Sequence, residues 1–345
     1  MNNVPLFVGL DYHQDQIQVC VVDQAAAVRV NRACVNDAAV VAGLLRSCGG
    51  DVRAVAIEAC CGSAAFGEAL AALGDWRIEL AHAGYVARLK QSPDKTDFSD
   101  GHLLADLTRV GYLPRVWLAP PHVRDLRQLV GHRQRLVDRR RALKLQVGAV
   151  LREQRVKIDA GPSRWSGGWV ARVRDNDRLS EQARWIVNDL LEEIDHAAAK
   201  IAAVEQRLRQ VTTGDAPIGP LVAKLRTIEG VGDVTAWMLA AWIGRFDRFK
   251  TGKQLSRYCG LSPRNVSSGN RVADAGLIKA ANAQLRAVLI QAGHRLIRTD
   301  RRWGALASRL IARGKPKNVA VAAVANRWVR SMHHRMIEPV ACVRA

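Results

Sequence analysis

Between residues 187 and 211, apolar side chains recur in alternating steps of three and four: Val187, Leu190, Ile194, Ala197, Ile201, Val204, Leu208 and Val211. That spacing draws one stripe down a helix and favours a coiled-coil seam, because residues three and four apart share a helix face. It predicts a long helix over 181–211 that needs an apolar partner. A second long helix is predicted over 123–157, with a weaker seam at Leu129, Leu136, Leu143, Val147 and Val150 interrupted by Arg133 and Arg140. The two either fold back on each other as a hairpin or pair with a second chain. The Gly-, Ser- and Trp-rich stretch 161–168 reads as a loop.

Ahead of Pro120-Pro121 the pattern is different. Short apolar runs at 4–11, 17–23, 27–34, 52–57 and 76–81 read as strands. Helices are predicted over 37–46, with Asn36 as the cap, over 64–73, and from Asp97 to about Val110. The order β-β-β-α-β-α-β-α implies a mixed sheet covered by helices. Residues 212–220 form a Thr-, Gly- and Pro-rich linker, and the remainder of the chain reads as helical, with helices at 234–242, 281–297 and 315–336. Three regions are expected: 1–118 α/β, 119–215 long helices, and 216–345 all-α.

The chain has 345 residues, with 52 Lys+Arg against 32 Asp+Glu and a net charge of +20. A hydrophobic content of 48% excludes a disordered tail protein. No apolar run is long enough for a membrane span, and no secretory leader is read at the N-terminus. Seven Cys without zinc-like or paired spacing fit a reducing cytoplasm. The charge is uneven: residues 1–114 sum to −4, 121–157 to +8, 245–298 to +9 and 299–345 to +8. Most of the cations are Arg, which suits bidentate phosphate contact, so the expected partner is a polyanion, above all nucleic acid.

Four carboxylates fall inside the acidic head. Asp11 and Glu58 each end an apolar strand, and Asp97 and Asp100 lie three apart at a helix start, on one face. Hard oxygen ligands of this kind suit Mg²⁺ or Mn²⁺, and paired cations act on phosphodiesters. Each residue also has an ordinary reading: Asp97 as an N-cap, Asp100 as a charge favourable at the helix's positive end, Asp11 as a turn residue, Glu58 as a solvated strand end. Their order along the predicted elements is that of an RNase H-like or RuvC-like nuclease core.

In the basic C-terminal part, Ile228-Glu229-Gly230-Val231-Gly232 leads into a helix. A Gly-x-Gly turn there presents backbone N–H groups to phosphate, as in a helix-hairpin-helix contact, or is simply a tight turn. A polar loop extends from Tyr258 to Arg271, with Arg264 and Arg271 on either side of Ser267 and Ser268. A serine nucleophile needs an exposed position and nearby cations, although most loop serines are caps or turn residues. Lys279 and Arg286 are further candidate phosphate contacts.

Gly9-Leu10-Asp11, Ile57-Glu58-Ala59 and Lys95-Thr96-Asp97-Phe98-Ser99-Asp100, with the later run from Ile228 through Gly260-Leu261-Ser262-Pro263 to Ser268-Gly269, resemble the DEDD transposases of the insertion sequence 110 type and the related Piv-like DNA invertases. The resemblance implies a RuvC-like domain joined through a coiled coil to a transposase domain. It matches Asp11, Glu58, Asp97 and Asp100 to the DEDD metal ligands, and Ser268 to the nucleophile, with Ser267 second. It further implies recombination of double-stranded DNA by a homo-oligomer, a dimer or tetramer, guided by a non-coding RNA. Where the family has a small residue and Lys after the first Asp, this chain has Tyr12-His13-Gln14, and Gly101 follows the last. The alternatives are a Holliday-junction resolvase-like nuclease that uses water, and a non-catalytic nucleic-acid scaffold.

Overall fold

The computed structural model describes residues 4–90, 96–159, 163–265 and 274–338, and the chain divides into two compact units, 1–119 and 120–345. The first unit is built on a mixed sheet of β1 (Pro5–Tyr12), β2 (Gln16–Asp23), β3 (Val28–Val35), β4 (Asp51–Glu58), β5 (Ile78–Ala81) and β6 (Arg115–Val116), in the order β3-β2-β1-β4-β5-β6. The first three strands run antiparallel to one another, β1, β4 and β5 run parallel, and β6 is antiparallel to β5. Helices α1 (Ala38–Ser47), α2 (Ser63–Leu73), α3 (Ala83–Leu89) and α4 (Asp97–Arg109) complete it.

Side chains alternate between the two faces of a strand. Leu6, Val8 and Leu10 of β1, with Val55 and Ile57 of β4, turn one way and pack with Val41 and Leu45 of α1 and Phe66 and Leu70 of α2. Ala56 of β4 and Ala81 of β5 turn the other way, onto Leu104 and Leu107 of α4. On that second face Gly9 of β1 has no side chain, and α4 lies directly on it. A Cβ built there would overlap the Gly101 carbonyl oxygen and the Ala105 nitrogen, and would stand 2.9 Å from the Leu104 Cβ.

The second unit opens with α5 (Pro121–Glu153), α6 (Gly167–Arg174) and α7 (Glu181–Val211). The long helices fold back on each other within the one chain. Leu143, Val147 and Leu151 of α5 meet Val187, Leu191 and Ile194 of α7, and Trp169 and Val173 of α6 close that end. The Val187–Ile194 part of the α7 seam therefore packs on α5 of the same chain. Arg133, an intruder in the expected seam, ion-pairs Glu205 at 2.7 Å. Beyond them come helices α8 (Gly219–Arg226), α9 (Asp233–Trp242), α10 (Gly252–Tyr258), α11 (Ala283–Thr299), α12 (Arg301–Ala312) and α13 (Lys317–Ile337), with a two-stranded hairpin of β7 (Pro263–Asn265) and β8 (Asp274–Leu277). No helix among the described residues is long and apolar enough to cross a membrane.

Several sequence expectations are corrected. Asn36 is not the cap of α1; Asp37 is, accepting from the Ala39 nitrogen at 2.7 Å. Asn36 instead donates to the carbonyls of His13 and Gln14 at 2.8 and 3.0 Å, which ties down the β1–β2 turn. Part of the stretch expected to be loop begins α6, where Ser166 caps the Trp169 nitrogen. The expected polar loop from Tyr258 to Arg271 contains β7, which pairs with β8 just beyond it, and α3, α8, α10 and α12 are additional helices.

Gly9→Ala should cost about 1–3 kcal/mol or more, because the added methyl meets backbone that cannot rotate away. Chemical denaturation of the full chain measures it. A variant as stable as wild type would show that α4 does not need this contact.

Candidate active site

The Gly9 contact sets where the acidic side chains meet. Asp11 is two residues beyond Gly9 on β1 and so shares its face. The β1–β4 register sets Leu10 opposite Ile57, which brings Asp11 and Glu58 to neighbouring strand ends, and Glu58 shares the face of Ala56. The same face receives the first turn of α4, with Asp97 at its first position and Asp100 one turn on.

The N-cap is Thr96, not Asp97. The Thr96 hydroxyl accepts from the Ser99 nitrogen at 3.2 Å, and the Ser99 hydroxyl returns the bond to the Thr96 backbone in a capping box. With the cap supplied by a neutral side chain, the Asp97 carboxylate is free of that duty. Both acids still sit where the helix dipole favours negative charge.

His13, absent from the sequence-derived candidates, joins the centre. Its Nε2 lies 3.3 Å from Asp11 Oδ2 and 3.4 Å from Asp97 Oδ1. Asp11, His13 and Asp97 each place one ligand atom within 4.8 Å of the others. The only signal for it in the sequence is spacing: two residues past an acid at a strand end. Asp100 is buried and ion-paired to Lys90, whose Nζ is 2.6 Å from Oδ1. Glu58 is half-buried and borders the group without joining its closest atoms.

Burial pushes the Asp11 carboxyl above the usual carboxylate range. The charge and hydrogen bond of His13 oppose the rise, and the neighbouring charges of Asp100 and Asp97 add to it. A centre with this imbalance gains from an added cation, and its carboxylate oxygens are the hard ligands that Mg²⁺ or Mn²⁺ prefers. The residues present therefore fit a divalent cation.

The C-terminal candidates lie elsewhere, in the second unit. Ser267, Ser268 and Arg271 fall between β7 and β8, outside the described residues. The base of that hairpin is tightly built. Ile278 N donates to the Ser262 carbonyl at 3.1 Å, Asn326 donates to the Leu261 carbonyl at 3.0 Å, and Arg286 donates to the Ile278 carbonyl at 2.7 Å. Arg286 is thus a strut of the hairpin, while Arg264 and Lys279 are exposed beside it. Gly230 adopts φ +83°, and a Cβ there would meet Leu296 at 2.7 Å, so backbone conformation and packing both require glycine here. Gly232 caps α9, and the next residue, Asp233, is paired to Arg226 at 3.0 Å and to Arg209 at 3.5 Å.

The fold and its acidic centre define an α/β unit suited to hold a divalent cation, joined to a helical unit. A family profile of DEDD transposases of insertion sequence IS110 matches residues 8–155, and the profile described as "Transposase IS116/IS110/IS902 family" matches residues 222–308. The chain belongs to this family of transposases. It is 27% identical over 330 residues to the transposase for insertion sequence element IS1111A of Coxiella burnetii, covering 93% of this chain and 86% of that protein. It is 25% identical over 240 residues to the transposase for insertion sequence element IS1328 of Yersinia enterocolitica, covering 69% of each. A probable family 20 transposase of Pseudomonas aeruginosa is 32% identical over 150 residues, 42% of this chain and 43% of that protein.

The raised Asp11 carboxyl has a defined sign. Its folded value lies above its unfolded one, so the stability it contributes is complete below the ordinary 3.8 and is lost as pH rises through the folded value. At neutral pH, Asp11→Asn should therefore melt higher than wild type in chelator, and the gap should close on acidification. Added Mg²⁺ should raise the wild-type melting temperature and leave that of the variant unmoved. Equal responses to Mg²⁺ in calorimetry would show that Asp11 does not bind the cation.

Proposed function

We propose that this chain is the transposase of an insertion sequence, which cuts and rejoins double-stranded DNA with four carboxylates in one unit and a serine in the other. The observation that carries the reading is the meeting of Asp11 and Asp97, held by backbone contact between α4 and Gly9. The strand order, with three antiparallel strands followed by two parallel to the first, supports an RNase H-like, RuvC-like unit over 1–118. The α5–α7 pair is read as the coiled-coil segment of 119–215, and 216–345 as the transposase domain.

Asp11, Glu58, Asp97 and Asp100 would hold Mg²⁺ or Mn²⁺, which when bound polarises the scissile phosphate and activates the attacking oxygen. His13, between Asp11 and Asp97, can hold a proton there or pass it on. Ser268 Oγ attacks phosphorus and a phosphoserine bond forms. The bond from phosphorus to the leaving sugar oxygen breaks, and that oxygen takes up the proton released by the serine. The incoming strand's hydroxyl reverses the exchange. Arg264 and Arg271 flank the serine to neutralise phosphate charge, Gly230, Gly232, Lys279 and Arg286 border the DNA path, and Ser267 is the second choice of nucleophile. A non-coding RNA guide and a homo-oligomer belong to this reading through the family.

Purified protein with Mg²⁺, RNA transcribed from the flank of the element and cognate DNA should give a denaturant-resistant protein–DNA adduct. Asp11→Asn should lower cleavage by on the order of 10³-fold, through loss of several kcal/mol of charge stabilisation. Ser268→Ala should abolish the adduct. An adduct that survives Ser268→Ala but not Ser267→Ala moves the nucleophile by one residue. Cleavage without rejoining in the double variant would instead establish a resolvase-like nuclease that uses water.

A further inference from the structure

Between Arg301 and Ile337 the chain carries seven Arg and two Lys and not one Asp or Glu. Helices α12 and α13 are joined by the turn at Arg313–Pro316, so they run back along each other. On α12, Arg302, Arg309 and Arg313 are spaced by seven and four residues and stand in one stripe. On α13, Arg327, Arg330 and His334 are spaced by three and four and do the same. The two stripes face each other across a cavity of about 620 Å³. Trp303, Leu306 and Leu310 line it together with the charges.

A solvated surface normally intersperses the two signs, because like charges crowded together repel. Here no acid of the described residues answers the repulsion, and Arg302 stands over the Trp303 ring, 4.7 Å from its centroid. Among the described residues, none of these five arginines has a carboxylate within ion-pair distance, although Arg133, Arg139 and Arg245 elsewhere in the same unit each have one. All are exposed except Arg330, which is half-buried. A ligand that spreads negative charge along the groove would relieve the whole row at once. Guanidinium groups bind phosphate by paired hydrogen bonds, which a compact ammonium cannot do. The stretch from Arg302 to Arg313 covers about 16 Å at ~1.5 Å per residue, long enough for several successive phosphates of one strand. A second copy of this surface would bring cations against cations.

The geometry points to the α12–α13 groove as a clamp for the sugar–phosphate backbone of a nucleic acid, built from residues other than those of the acidic centre and of the β7–β8 hairpin. Most of the groove lies beyond residue 308, where the second family profile ends. The groove needs no divalent cation, so its test is independent of the catalytic reading.

The test uses the full chain in chelator and fluorescence anisotropy with two labelled probes, a DNA duplex of random sequence and an RNA hairpin. Arg309→Gln/Arg313→Gln/Arg327→Gln keeps the side-chain stems and removes three charges. Lys157→Gln/Arg172→Gln/Arg178→Gln removes the same charge outside the groove. The groove variant should bind on the order of 10- to 100-fold more weakly at physiological salt. Its slope of log affinity against log salt should shrink by about 0.9 for each duplex phosphate that the variant no longer neutralises. The control should change neither comparably, and both variants should keep the wild-type melting temperature. The probe whose binding weakens more identifies the strand that occupies the groove. Unchanged slopes on both probes, or an equal weakening in the control, would overturn the proposal. So would displacement of both probes by polyglutamate at matched charge, which would assign the groove to an acidic protein segment.

Discussion

The contact between Gly9 of β1 and the backbone of α4 at Gly101 and Ala105 is the constraint on which the acidic centre depends. A strand and a helix normally keep side-chain distance from each other. Here a missing Cβ on the strand lets the helix come down to main-chain contact. Gly101 does not need to be glycine for room on its own side, since a Cβ there would make ordinary contacts with the Gln18 Cγ at 3.4 Å and the Cys20 Cβ at 3.5 Å; it takes part through its carbonyl oxygen, which lies against Gly9. Asp11 comes two residues after Gly9, and Asp100 immediately precedes Gly101. The residue that sets the spacing, Gly9, therefore stands within a few residues of Asp11, and its contact on α4 falls next to Asp100.

Bringing carboxylates together is unfavourable, and the surroundings moderate it in three ways. Thr96 and Ser99 cap the helix with neutral hydroxyls, so its dipole remains turned toward Asp97 and Asp100. Lys90 sits on the buried Asp100, and His13 stands between Asp11 and Asp97. Asn36 holds the turn that carries His13 by its two carbonyls. The unrelieved remainder falls on Asp11, whose carboxyl is held above its ordinary range chiefly by burial. A residue kept this way lowers stability at neutral pH.

Much of this is legible in the sequence where local periodicity decides the outcome. The ends of β1 and β4, and with them Asp11 and Glu58, come from short apolar runs that stop at an acid. The α7 boundaries come from an unbroken stripe, with Ser180 capping at one end. The partner of that stripe is not legible, since an apolar seam is satisfied equally by a helix from its own chain or from another. The true caps stand one residue away from the expected Asn36 and Asp97, because Asn, Asp and Thr all cap, and only the hydrogen bonds distinguish Asp37 and Thr96. His13 and Lys90 are illegible as site residues because their roles arise from tertiary approach across β1, α3 and α4. The β7–β8 hairpin is hidden by its polar composition, and its base is held at the Leu261 and Ile278 carbonyls by Asn326 and Arg286 from distant helices.

The distribution of charge then separates into two physically different designs. In the first unit, opposite charges are set against each other at short range, as with Lys90 on Asp100, or Arg77 and Arg115 on the buried Glu79 at 2.8 and 2.6 Å. The net charge there is small because each buried acid is answered locally. In the last two helices no acid is supplied at all, and the arginines stand in register on facing stripes. Local pairing holds a geometry together, whereas an unanswered row leaves its electrostatic energy available to an incoming polyanion. The excess of +20 is therefore not a uniform coat. A large share of it is concentrated where no acid of the described residues pairs with it.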